Sequence, residues 1–208
     1  MRVVASSEQS LKVRQADLER HLDALSRFVE RHEDTRSLGC TLVLRSAASV
    51  PAQALTLMKD TLADAGVPAK AILARLEPQD DLKQIYDTLC ALSPDADPAT
   101  LIRWARNPRL LDAHEQVTYG TDMCWAGDAM RRDADKRNPL VLFEMDAPEA
   151  AALAVHAFKA LWGASLPVPG RYLGTTGPAK PSGAYGPMDD APMPAARKPI
   201  QGWPLVRH

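Results

Sequence analysis

Cys40-Thr41-Leu42-Val43-Leu44 is followed by a stretch with Ser49, Pro51, Leu55, Met58 and Leu62 that stops at Gly66, and then by a second apolar run from Ala69 to Leu76. The first run has β-branched content and is too short for a helix, so it reads as a buried strand. The middle stretch repeats its apolar residues on one helical face, with Ser49 placed to cap it, Pro51 in its first turn and Gly66 to close it. The second run, ended by Glu77-Pro78, reads as another inner strand. Strand alternating with helix points to a layered α/β fold with a substantially parallel sheet.

The same logic extends in both directions. Upstream, Leu18, Leu22, Leu25, Phe28 and Val29 recur at three- and four-residue steps among charged residues, an amphipathic helix that Gly39 ends. Downstream, Asp80 or Asp81 is placed to cap a helix carrying Leu82, Ile85, Tyr86, Leu89 and Leu92, with Ser93-Pro94 and Asp97-Pro98 beyond it. Residues 100–106 and 112–119 are extended segments around Asn107-Pro108-Arg109, and Tyr119-Gly120-Thr121-Asp122 is a turn. Residues 140–143 form a further apolar run. Asp146 and Glu149 match a capping box for a last helix presenting Leu153, Ala154, Ala157, Phe158, Leu161 and Trp162 on one side. The expectation is an α/β domain over residues 1–165, a mixed, largely parallel sheet with the first, second and last helices covering its faces.

Residues 166–208 differ in texture. Nine prolines interleaved with glycines, from Pro167 to Pro204, read as an extended tail. Its large groups Tyr172, Tyr185 and Trp203 suit docking, so the tail is expected to act as an arm toward its own domain, a second subunit or another protein partner.

Of the chain's 208 residues 46% are apolar and 25% charged, ordinary globular composition, and a formal net charge of -1 gives no overall basic field for nucleic acid. Cys40, Cys90 and Cys124 are too few and too scattered for a disulfide framework, which suggests reduced thiols in a cytoplasmic protein, and Cys40 and Cys124 are expected to pack as small hydrophobes. No run approaches the ~20 apolar residues of a membrane span, and the first residues lack the apolar core of a signal peptide. Dinucleotide, P-loop and Gly-x-Ser-x-Gly fingerprints are missing, His21 and His32 lack metal-ligand spacing, and neither cofactor nor metal is implied.

The remaining chemistry is concentrated between His114 and Trp162. His114-Glu115-Gln116, Asp122, Gly127-Asp128-Ala129-Met130, Arg137-Asn138, a strand and a helix ending Phe158-Lys159-Ala160-Leu161-Trp162 follow one another. This order resembles the second part of a phospholipase D superfamily half-domain: His-x-Lys on a strand, an aspartate at a turn, Gly-Ser-x-Asn, Arg-Asn before the next strand, and a closing helix ending Phe-x-x-Leu-Trp. The resemblance implies that fold over most of residues 1–165, places His114 at the nucleophilic histidine, and implies pairing of two half-domains around one site, hence a homodimer. It also implies lost activity, because Gln116 stands where the family has lysine and Asp128 and Met130 replace serine and asparagine.

Two readings of the site follow. In one, His114 is a hydrogen-bonded strand residue of a non-catalytic binding or regulatory domain. In the other, His114 attacks a phosphodiester weakly, with the Arg131/Arg132 loop as clamp in place of the lysine. Arg131, Arg132, Lys136, Arg137 and Asn138 are correspondingly either a solvated loop or contacts to a phosphate-bearing ligand.

Overall fold

The two apolar runs are neighbouring parallel strands: β1 (Cys40–Leu44) and β2 (Ala69–Leu73) pair in register from Cys40 with Ala69 to Leu44 with Leu73. The computed structural model describes residues 2–31, 33–107, 114–127 and 143–174. In chain order, α1 (Arg2–Val29) and α2 (Glu33–Arg36) precede β1, and α3 (Val50–Leu57) and α4 (Lys59–Asp64) lead to β2. Next come α5 (Gln79–Leu92), β3 (Ile102–Trp104), β4 (Gln116–Tyr119), β5 (Met123–Ala126) and β6 (Phe143–Glu144), then α6 (Pro148–Ala164), β7 (Leu166–Pro167) and α7 (Gly170–Leu173). The strands lie in the order β6-β5-β4-β1-β2-β3-β7.

This sheet is mixed, but it is not largely parallel. Only β1 with β2 and β2 with β3 run parallel among the described strands; β1 with β4, β4 with β5, β5 with β6 and β3 with β7 are antiparallel. Helical crossovers supply the parallel pairs. The turn from β4 to β5, where Gly120 takes φ 65°, is a tight connection that only antiparallel neighbours admit.

Side-chain alternation assigns the two faces. Cys40, Leu42 and Leu44, with Ala71 and Leu73 and with Val117, Tyr119, Met123 and Trp125, enter one core shared with α1, α3, α4, α5 and α7. Each fully buried leucine there contributes roughly 1.5–3 kcal/mol. The other face sets Val43 and Ile72 against Phe158, Leu161 and Trp162 of α6.

Three helix starts differ from their sequence signatures. Asp146 sits outside α6 at φ 54° and reaches Arg31 instead of capping, with Ala147 at the cap position. The N-cap position of α5 is Pro78, which moves Asp80 and Asp81 into the first turn, where their charge still complements the helix dipole. Ser49 does occupy the N-cap of α3, but its hydroxyl donates to the Glu115 carboxylate, a charged acceptor, and not to the helix. On α6 the buried side is Ala151, Ala154 and Phe158, and Leu153 is 73% exposed.

The segment read as a tail begins inside the packed unit. Leu166 and Pro167 pair with Trp104 and Arg103, an edge position that tolerates proline, and Val168 and Leu173 are buried in the main core with Tyr172 packed against it. Residues 175–208, including Tyr185 and Trp203, lie outside the described residues.

Gly39 sets the two halves of the sheet against each other. Its carbonyl accepts from Gly120 N at 3.0 Å on the β4 side, and the next amide, Cys40 N, donates to Pro68 O at 2.9 Å on the β2 side. With φ 69°, a Cβ on Gly39 would stand 2.2 Å from the Pro68 carbonyl oxygen. Gly66 has a similar φ of 68° and open space around it. Gly66→Ala therefore carries only the left-handed strain of about 1–2 kcal/mol, whereas Gly39→Ala is expected to cost clearly more; equal losses in urea denaturation would show that the close approach is not limiting.

Inside the core, His21 of α1 is fully buried, with Nδ1 hydrogen-bonded to the Tyr119 hydroxyl at 2.7 Å and with the rings of Trp125 and Phe143 edge-on at 4.6 and 4.9 Å. Burial, helped by the adjacent charge of Arg20, lowers its pKa from 6.5 to about 3. Between these values the unfolded chain binds a proton that the folded chain refuses. Stability is thus full above pH 6.5 and falls as pH drops, by up to about 1.4 kcal/mol per unit. Denaturation of wild type and His21→Phe at pH 7 and pH 5 should show an acid loss about 2 kcal/mol smaller in the variant; identical losses would refute the assignment.

Candidate functional site at the carboxyl edge of the parallel strands

The parallel strands β1, β2 and β3 end at one edge of the sheet, and each runs within two residues into an arginine: Arg45, Arg75 and Arg106. In open α/β sheets ligands bind at this edge. Because β4 is antiparallel to β1, its start lies at the same edge, and so does the end of β5. His114 and Glu115 precede β4, and Gly127 follows β5.

Two hydrogen bonds draw these residues together. Gly127 N donates to Glu115 O at 2.7 Å, and His114 Nδ1–H donates to Gly127 O at 2.6 Å. A carbonyl can only accept, so Nδ1 carries the proton. The positions that the resemblance matches to the family's histidine and to the glycine of Gly-Ser-x-Asn thus meet across the β4–β5 hairpin. A Cβ at Gly127 would fall 2.6 Å from the Trp125 ring, which makes this approach sensitive to the core below it.

Glu115 serves the scaffold. Its Oε1 accepts from Arg45 N at 3.0 Å and from the Ser49 hydroxyl, tying the loop after β1 to the start of β4. The carboxylate also sits at the start of α3, where the helix dipole favours it. Beside His114 and Glu115, a recess walled by Val43, Ile72, Ala105 and Leu161 has a volume of about 10 Å³. That admits at most one water. A ligand at this edge therefore meets His114 from its exposed side.

The other matched positions divide. Gln116 follows on the same face as His114 by strand alternation and is half-buried. Asp122 lies at the far end of the hairpin, where Arg31 Nη1 pairs with it at 3.2 Å and its carbonyl accepts from Ala147 N at 2.8 Å, a structural tie between α1, the turn and α6. Arg131, Arg132, Lys136, Arg137 and Asn138 lie outside the described residues. The three cysteines are free thiols; Cys40 is buried and desolvation pushes it up to about 12, while burial and then the charge of Glu144 raise Cys124. Among the described residues no three His, Cys, Asp or Glu side chains gather as metal ligands, and no helix is long and apolar enough to cross a membrane.

Sequence reasoning singled out His114 and overlooked Arg45, Arg75 and Arg106. Their signal was available: every inner apolar run is closed by an arginine at the same offset or nearly so. Comparison of the chain with protein-family models, curated proteins and solved structures gives no match.

The orientation of His114 is open to direct measurement. Long-range proton–nitrogen spectra in alkaline buffer should show Nδ1 in the protonated range and Nε2 in the unprotonated range; the opposite tautomer would mean that the bond to Gly127 does not form.

Proposed function

We propose that the chain is a non-catalytic phospholipase D-like domain, a binding or regulatory protein that contacts a phosphate-bearing ligand at the carboxyl edge without cleaving it. The observation that carries the reading is the meeting of His114 with Gly127 while neutral Gln116 occupies the place of the family's lysine. It is supported by the order of elements around that contact: the histidine before β4, the turn with Asp122, Gly127 after the return strand, and a closing helix with Phe158 and Trp162. A preorganised group at a developing phosphate charge is worth about 2.7–4 kcal/mol, some 10²–10³ in rate. An uncharged amide does not supply it. Arg45, Arg75 and Arg106 keep the attraction for phosphate oxygens, so affinity outlives turnover. Pairing of two copies around this edge, as in the family, belongs to the same proposal.

An altered phosphodiesterase draws on one specific observation, the placing of His114 at this edge by its Nδ1–H bond to Gly127 O, with His114 as the attacking residue and Arg131 and Arg132 then acting as clamp. One assay separates the two. Hydrolysis of bis(p-nitrophenyl) phosphate by wild type and by His114→Ala should both match buffer, whereas turnover lost in His114→Ala would overturn the binding reading. In the binding arm, titration with inorganic phosphate should move the His114 ring resonances in wild type and much less in Arg75→Gln/Arg106→Gln.

A further inference from the structure

The α6 face of the sheet contains a second concavity, at the opposite end from His114. It has a volume of about 530 Å³ and lies between α6 and the amino ends of β1 and β2. Val155, Phe158 and Trp162 of α6 form one wall, and Leu38 and Pro68 the rim opposite. A core of this fold would close such a gap with apolar side chains from the sheet. Here the sheet instead presents Lys70, Thr41 and Thr118, in direct cross-strand register on three adjacent strands.

These three residues specify a charge. The Thr41 and Thr118 hydroxyls hydrogen-bond to each other, and in such a pair one hydroxyl donates while the other still has a proton to offer. Lys70 adds a cation beside them, with Nζ 5.6 Å from the centroid of Trp162, and Lys159 adds another from α6. Among the described residues the lining includes no acidic side chain. A hydroxyl donor and two ammonium groups over an apolar wall call for an acceptor with negative charge on an apolar body.

Shape adds the rest. A shallower concavity of about 350 Å³ shares Thr121, Val155 and Lys159 with the first and continues along α6 to Ala151. From Trp162 to Ala151 the helix covers about 16 Å at 1.5 Å per residue. The occupant is therefore elongated, with its head at the Lys70–Thr41–Thr118 row and its body against Val155 and the alanines of α6.

We infer that this groove is a binding site for a linear medium-chain monocarboxylate, held by Lys70, Thr41, Thr118 and Lys159 and packed on Phe158 and Trp162. The site is separate from the carboxyl edge and does not depend on the reading of His114. Octanoate is a suitable probe for the full chain, with octan-1-ol and octylammonium as neutral and cationic counterparts of equal length. Titration calorimetry should give saturable binding of octanoate, at least about tenfold weaker binding of octan-1-ol and none of octylammonium. Amide shifts on adding octanoate should centre on Thr41, Lys70 and Thr118. Lys70→Gln/Lys159→Gln should weaken octanoate at least about tenfold and leave octan-1-ol unchanged, and Val155→Trp, which fills the groove from a half-exposed position, should block both with the melting temperature retained. Equal affinity for octanoate and octan-1-ol, an unchanged Kd in the double lysine variant, shifts centred elsewhere, or no saturable octanoate binding would each overturn the assignment.

Discussion

The sheet hinges on one residue without a side chain. At Gly39 the chain enters β1 while bonded on both sides, to Gly120 of the antiparallel half and, through the next amide, to Pro68 before the parallel half. β1 is the only described strand that pairs in parallel on one side and antiparallel on the other with both partners in the body of the sheet. A slip of one residue there would exchange its faces, sending Thr41 and Val43 into the main core and Leu42 and Leu44 under α6. The close approach at Gly39, which has no room for a Cβ, opposes that slip at the first residue of the pairing. Everything at the two ends of the sheet inherits its alignment from this point.

The antiparallel half is then held from below. Tyr119 at the end of β4 is tied to His21 of α1, and Trp125 of β5 packs edge-on against the same imidazole. The Trp125 ring in turn lies directly under Gly127, whose carbonyl orients His114. The exposed histidine therefore sits on a chain of contacts that ends in a neutral, buried one. Burying a polar ring is costly unless it is hydrogen-bonded, and the Tyr119 hydroxyl meets that requirement at Nδ1, whereas Nε2 is buried without a partner among the described residues. The arrangement ties the hairpin to α1 beneath the candidate site.

Much of this architecture was legible from residues alone, and the parts that were not share a cause. The run Cys40–Leu44 and the run from Ala69 to Leu76, the latter a strand only as far as Leu73, the α1 face and the α5 series were visible because hydrophobic period and punctuation are local. Strand direction beyond β3 was not, since it depends on which strand β4 joins, and β4 joins the far side of β1, with β2 and β1 between it and β3. The cap signature at Asp146 misled because a distant charged group, Arg31, competes for the side chain, and Ser49 takes its expected N-cap position while its hydroxyl goes to Glu115. His114 was singled out by the order of motifs from His114 to Trp162 and read as lying on a strand, where the structure puts it two residues before β4, whereas the three edge arginines acquire meaning only once β1, β2 and β3 are known to end together. His21 was hidden for the opposite reason: in an amphipathic helix a histidine next to the apolar stripe looks like surface until Tyr119 is placed beside it.

A groove on the α6 face is a consequence of how that helix is attached. At its carboxyl end Arg103 Nη1 donates to Trp162 O at 3.0 Å and Ser165 O at 3.1 Å, binding the helix to β3 through its own last carbonyls, with the guanidinium 5.0 Å from the Trp162 ring centroid. At its amino end Ala147 N is held by Asp122 O, and Arg31 bridges Asp122 and Asp146. With these polar ties at its ends and Phe158, Leu161 and Trp162 packed on Val43 and Ile72, α6 keeps its place without filling the space beneath its middle, where besides Phe158 it buries only two alanines. Across from them the sheet offers threonines and a lysine, residues that gain little from packing on an alanine face. Tighter closure would strip water from Lys70 and from the hydroxyl pair with no partner to replace it, a penalty larger than the dispersion attraction of the alanine methyls that would move in. Apolar packing therefore stops at Phe158, and the concavity persists beside it with Lys70 and the Thr41–Thr118 pair on its sheet side.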